Sequence, residues 1–228
     1  HDGNPEDFQW DVVSGISGGA INTCAMAVWA KEDGLAMSEW LSTEWNDELR
    51  THDVWNWWPG GIIAGLTTKS SLVDDTALTE FLKGILGGFP EGVKRYTMVG
   101  SVNANNADYE SWRLDEIPLE KQLDLVPKAC VSSASLPGLF IPTEYEGGIY
   151  VDGGTAMGLD AMSAVELMDP KMDAGMKGQV VSTVQARIDG DQLPLHPTPE
   201  HTLAVFDALI GCESGWRNGW SLAQTVFT

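Results

Sequence analysis

The hydrophobic pattern is most informative near the start of the chain. A short apolar pair, Val12-Val13, runs into Gly15-Ile16-Ser17-Gly18-Gly19. Beyond it Ala20, Ile21, Cys24, Ala25, Met26, Ala27, Val28 and Trp29 form a segment apolar almost all round. That order predicts a strand, a tight turn and a buried helix. From Leu35 to Leu49 the period is helical, with Leu41, Trp45 and Leu49 at i, i+4 and i+8. Leu78, Phe81, Leu82 and Ile85 mark a further helix, stopped by Gly87-Gly88 and Pro90. Residues 94–103 read as a strand, Asn105-Asn106-Ala107-Asp108 as a turn, and residues 109–114 as a second strand. Pro127 is expected to begin a short helix that ends by Pro137.

Farther on, Glu144 to Gly148 predicts a turn into a strand that closes at Asp152. Ala161, Ala164, Val165 and Met168 suggest a helix, residues 179–184 a strand, and Thr198-Pro199 the start of a helix through Ile210. The tail from Gly211 to Thr228 has no clear period. Alternating strands and helices imply an α/β fold: a largely parallel sheet sandwiched between helices, with right-handed crossovers. Its site is expected at strand carboxyl ends.

The Gly15-Ile16-Ser17-Gly18-Gly19 turn has the G-x-S-x-G form in a strand–turn–helix context. Glycines allow the sharp reversal that exposes the Ser17 hydroxyl, and the helix behind it presents free N–H groups to a developing anion. The motif fixes three positions, and a glycine-rich turn with an incidental serine fits it as well. Far downstream, Gly147-Gly148-Ile149-Tyr150-Val151-Asp152-Gly153-Gly154 is another short strand delivering a polar residue into a glycine turn. A serine at one strand end and an aspartate at another suit a Ser–Asp dyad.

At these residues the chain resembles the patatin-like phospholipases, a family of lipid acyl hydrolases. The matching stretches are Asp11-Val12-Val13-Ser14-Gly15-Ile16-Ser17-Gly18-Gly19-Ala20-Ile21-Asn22 and Tyr150-Val151-Asp152-Gly153-Gly154. Between them, Ala129-Cys130-Val131-Ser132-Ser133-Ala134-Ser135-Leu136-Pro137-Gly138-Leu139-Phe140-Ile141-Pro142 looks like the segment these proteins carry ahead of their aspartate. The resemblance implies a three-layer fold, Ser17 as nucleophile, Asp152 as base and the Gly18 N–H as an oxyanion donor. It also implies a glycine-rich loop upstream that completes the oxyanion hole. No such loop precedes Asp11, so the intact protein is expected to carry further residues. One patatin-like domain, incomplete at its start, is expected over residues 1–228. Thr155-Ala156-Met157-Gly158 stands where the family more often has an Asn-Pro pair.

Composition narrows the choice of partner. With 33 acidic and 13 basic residues the formal charge is −20, which excludes general attraction to nucleic acid or to anionic lipid. If the protein works on membranes, binding must come from apolar contacts or a local basic patch, or the substrate must be neutral. Trp55, Trp57 and Trp58, followed by the glycine-punctuated run to Leu66, offer a lid or peripheral membrane contact. Packing of these large aromatics on the core is the alternative. Cys24, Cys130 and Cys212 are odd in number and widely spaced, indicating neither a disulfide framework nor a metal site. No metal or organic cofactor is implied. The sequence shows neither a membrane-spanning run nor a signal peptide, and a cytoplasmic or peripheral membrane location is expected.

Two other functional readings remain open. The order Ser17…Asp152…His196 or His201 is that of a Ser–Asp–His α/β-hydrolase. His196 lies between prolines and His201 in the first turn of an expected helix, neither a setting that favours a catalytic base. A structural or lipid-binding subunit is the non-enzymatic alternative.

Overall fold

The computed structural model describes residues 9–157, 160 and 203–207, the last as backbone. The elements in chain order are β1 (Val12–Ile16), α1 (Gly18–Ala27), α2 (Gly34–Thr43), α3 (Thr51–Val54), β2 (Asn56–Trp57), α4 (Gly61–Thr68), β3 (Val73–Asp74) and α5 (Thr76–Gly87). They continue with β4 (Tyr96–Asn103), β5 (Asp108–Arg113), α6 (Leu119–Ala134), β6 (Thr143–Tyr145), β7 (Gly148–Asp152) and β8 (Leu203–Asp207).

The main sheet has the order β6-β7-β4-β1-β8, with β5 also paired to β4. It is mixed rather than largely parallel. β1 runs parallel to β4 and to β8, whereas β4–β5, β4–β7 and β6–β7 are antiparallel. Short loops account for the β4–β5 and β6–β7 pairs, since two strands joined by a tight turn can only pair antiparallel. The β6–β7 turn is built on Glu146 (φ 47°) and Gly147 (φ 83°), the positive pair a two-residue hairpin requires.

All five residues of β1 are buried, as expected of a strand covered on both faces. The core joins Ala20, Ile21, Cys24 and Val28 of α1 to Leu78, Leu82 and Ile85 of α5, and to Val126, Ala129 and Cys130 of α6. The face anticipated for α5 is therefore the face it buries. A smaller cluster of Trp10, Val13, Met26 and Met37 packs where α1 and α2 meet β1.

Three further expectations are corrected. The helix read over 35–49 stops at Thr43 and opens into a π turn at Glu44–Glu48, where the Leu49 N–H reaches the Glu44 carbonyl at 2.7 Å. Pro127 does not begin a helix; it lies buried inside α6. An interior proline costs about 3 kcal/mol, and its neighbours Val126, Ala129 and Cys130, all fully buried, offset that by packing. The helix anticipated from Thr198 to Ile210 gives way to β8, which registers Leu203 against Val12 and Asp207 against Ile16. Pairing with the open edge of β1 satisfies strand N–H and C=O groups that a helix would leave bare. The helix expected around residues 161–168, the strand at 179–184 and the tail from 211 lie outside the described residues.

Candidate active site

Ser17 occupies the single residue between β1 and α1 and holds φ 59° and ψ −128°. This is a costly backbone for a residue with a Cβ, worth on the order of 1–3 kcal/mol. Gly15 makes the turn possible, since a Cβ there would run into the Gly19 carbonyl and the Thr23 hydroxyl. The Ser17 N–H is shared between the Ser133 carbonyl (3.1 Å) and the Ser133 hydroxyl (3.0 Å). Ser133 Oγ in turn donates to the Gly100 carbonyl of β4.

The register of β4 explains how Asp152 arrives opposite. Ile16 pairs with Gly100 on one side of β4 and Asp152 with Ser101 on the other. β1 and β7 thus approach from opposite directions and end at the same level. The Asp152 N–H donates to the Ser135 carbonyl at 2.9 Å. The end of α6 therefore clasps the nucleophile turn through Ser133 and the aspartate strand through Ser135. Gly153 lies so close to the Gly100 carbonyl and to Ile16 that no Cβ fits there.

Ser17 Oγ donates to Asp152 Oδ2 at 2.6 Å, with both residues at most 2% exposed. The second carboxylate oxygen, Oδ1, accepts the Gly154 N–H at 2.7 Å. Burial pushes the Asp152 carboxyl above its ordinary value, opposed by the Ser17 hydroxyl and the Gly154 N–H. A buried carboxylate held this way is a stronger base than one in water. Gly18, the first residue of α1, is exposed beside Ser17. N–H groups in the first turn of a helix have no intrahelical acceptor and are available to an anion.

The roles of Ser133 and Ser135 are not evident from the sequence alone. The serine-rich close of α6, Ser132-Ser133-Ala134-Ser135, was the available signal. The following loop carries an apolar cavity of about 240 Å³ lined by Trp55, Trp57, Val73, Leu139 and Phe140. Asp75 fastens this loop, accepting the Ile141 N–H at 3.2 Å while only 3% exposed. Desolvation raises the Asp75 carboxyl to about 6. A pKa raised on folding gives stability that is present below pH 3.8 and lost as pH rises through 6. Asp75→Asn is accordingly expected to be more stable than the wild type at pH 7.5 by on the order of 2–3 kcal/mol. That gap should close near pH 4 when thermal unfolding is followed across the range.

Comparison with known proteins gives the chain's family. Residues 3–165 match the family model described as patatin-like phospholipase, which is well over half of the chain. The chain belongs to the patatin-like phospholipase family. Strands β1 to β7, helices α1 to α6 and both halves of the Ser17–Asp152 pair fall inside that match, and β8 falls outside it.

A second family model, Mak10 subunit, NatC N(alpha)-terminal acetyltransferase, matches residues 157–228. Over 74 residues the chain is 45% identical to N-alpha-acetyltransferase 35, NatC auxiliary subunit, of Gallus gallus and of Homo sapiens, covering 30% of this chain and 10% of each relative. The homolog of Drosophila melanogaster is 38% identical over 74 residues, covering 30% of this chain and 9% of its own. The chain thus spans about a tenth of the length of these curated relatives. His196 and His201 belong to the Mak10-like stretch and lie outside the described residues.

Proposed function

We propose that the patatin-like part of this chain is a serine-dependent lipid acyl ester hydrolase, with Ser17 as nucleophile and Asp152 as its base. The observation that carries this reading is the 2.6 Å hydrogen bond from a strained, buried serine hydroxyl to a buried carboxylate. Hydroxyls are weak nucleophiles and need a base within reach of their proton. Asp152 takes that proton as Ser17 Oγ attacks the ester carbonyl. The resulting oxyanion is met by the Gly18 N–H. Collapse breaks the bond to the leaving alcohol, which receives the proton from Asp152, and leaves an acyl-serine. Water, giving its proton to the same carboxylate, releases the fatty acid and restores Ser17. Gly15 and Gly153, where no Cβ fits, let the two turns approach for this exchange, and Gly154 steadies Asp152 through its N–H.

Turnover of a long-chain acyl ester by the full chain tests the choice of base. A His196→Ala/His201→Ala double variant is expected to keep kcat/KM within about twofold of the wild type, as a residue outside the machinery does. A fall of a hundredfold or more would transfer the role to a histidine.

The second reading is a non-catalytic subunit, and the Mak10-like match over residues 157–228 favours it. The Gallus gallus and Homo sapiens relatives are named as auxiliary subunits. A folded wild type without turnover on any long-chain or short-chain ester would make this reading the leading one.

A further inference from the structure

Among the described residues, helix α4 is seated by the side that carries Gly65, its buried residue. Gly65 lies directly against the Ser71 and Leu72 backbone, too close for any Cβ. Ile62, Ile63 and Leu66, at i, i+1 and i+4, share another side and are 50%, 75% and 73% exposed. Trp57, in β2 just before α4 along the chain, adds a half-exposed indole. Large apolar side chains scattered singly over a surface need no explanation, whereas a contiguous group does.

The surrounding charge is equally distinctive. Residues 54–73 contain no Asp or Glu and a single cation, Lys69, in a chain with 33 acidic residues. Lys69 sits 4.4 Å from the centre of the Trp58 ring, and the Trp58 Nε1–H donates to the Ser71 carbonyl at 3.1 Å. The segment is also tied to the site. Leu72 and Val73 donate their N–H groups to the Gly138 and Leu139 carbonyls, in the loop that leaves Ser135.

We infer that the Ile62, Ile63 and Leu66 face of α4, with Trp57, docks on the surface of an electrically neutral lipid bilayer and brings the Ser17–Asp152 site to it. This rests on the proposed lipid esterase reading for its purpose, though not for its geometry. It relocates the membrane contact expected of Trp55, Trp57 and Trp58. Trp55 and Trp58 are partly buried and act as the platform, whereas α4 supplies the inserting side chains. A zwitterionic bilayer is the fitting partner, because anionic lipid would repel a chain of charge −20.

Flotation of the full chain with vesicles of pure phosphatidylcholine, and of phosphatidylcholine with one-third phosphatidylserine, tests this directly. The wild type is expected to float with the first and less with the second. Ile63→Asp/Leu66→Asp should lose at least about tenfold in partitioning, while Leu35→Asp, at a similarly exposed position on α2, should lose none. Turnover of a water-soluble short-chain ester by the double variant should stay within twofold of the wild type. No flotation of the wild type, or equal flotation of the double variant, would overturn the assignment. Self-association of the wild type that the double variant abolishes, without vesicle binding, would assign the face to a second copy and overturn it too. Flotation lost in the double variant, with no ester turnover by the wild type, would uphold the docking face while removing the esterase reading.

Discussion

Ser17→Ala is expected to reduce ester turnover by at least about 10⁴-fold, the scale seen when a serine nucleophile is removed. Chain folding should survive, because the bonds that hold the turn belong to the Ser17 N–H and not to its hydroxyl. A modest loss of stability is nonetheless predicted. Asp152 would keep the Gly154 N–H but lose the hydroxyl donor, and a buried carboxylate short of one hydrogen bond costs about 1–3 kcal/mol. The loss should appear at neutral pH and shrink in acid, where the carboxyl takes up a proton instead. Circular dichroism melts of the variant at two pH values would show this. Retained turnover in a folded Ser17→Ala protein would remove Ser17 from the mechanism.

Asp152→Asn separates catalysis from stability more sharply. Turnover should fall by about 10³- to 10⁴-fold, since the amide cannot accept the Ser17 proton. Stability should move the other way. Burial raises the Asp152 carboxyl above its usual 3.8, so the native state favours the protonated form. The stability this group contributes is present in acid and lost as pH rises through the raised value. Asparagine keeps the shape without the buried charge, and the variant should melt at or above the wild-type temperature at neutral pH. The advantage should disappear in acid. In the wild type, the acid limb of kcat/KM should lie above 3.8 for the same reason. A limb at the ordinary carboxylate value, with Asp152→Asn fully active, would mean that another group takes the proton.

The parts of this site that were legible in the sequence are the local ones. A strand, a glycine turn and a small-residue helix around Ser17 need only neighbours in the chain, and so does the strand that ends in Asp152-Gly153-Gly154. The pairing that brings them together is long-range. Nothing in the local pattern says that β7 runs antiparallel to β4, or that Ile16 and Asp152 flank Gly100 and Ser101. Ser133 and Ser135 were opaque for the same reason, because their partners Ser17, Gly100 and Asp152 lie far from them along the chain. Pro127 misled by local rule: proline favours a helix start, yet the buried face of α6 keeps it in the interior. Thr198-Pro199 misled similarly, as a good helix start followed by residues that complete the edge of β1 as β8. The tryptophan segment was divided by the fold, with Trp58 bound into the platform and Trp57 left half exposed.

The most direct test of the central claim is labelling of the full chain with a fluorophosphonate probe, followed by peptide mass spectrometry. The account predicts a single modified residue, Ser17, with labelling absent in Ser17→Ala, strongly reduced in Asp152→Asn and unchanged in the His196→Ala/His201→Ala variant. Modification at another serine, or no modification of a folded wild type, would contradict it and leave the Mak10-like subunit reading in its place.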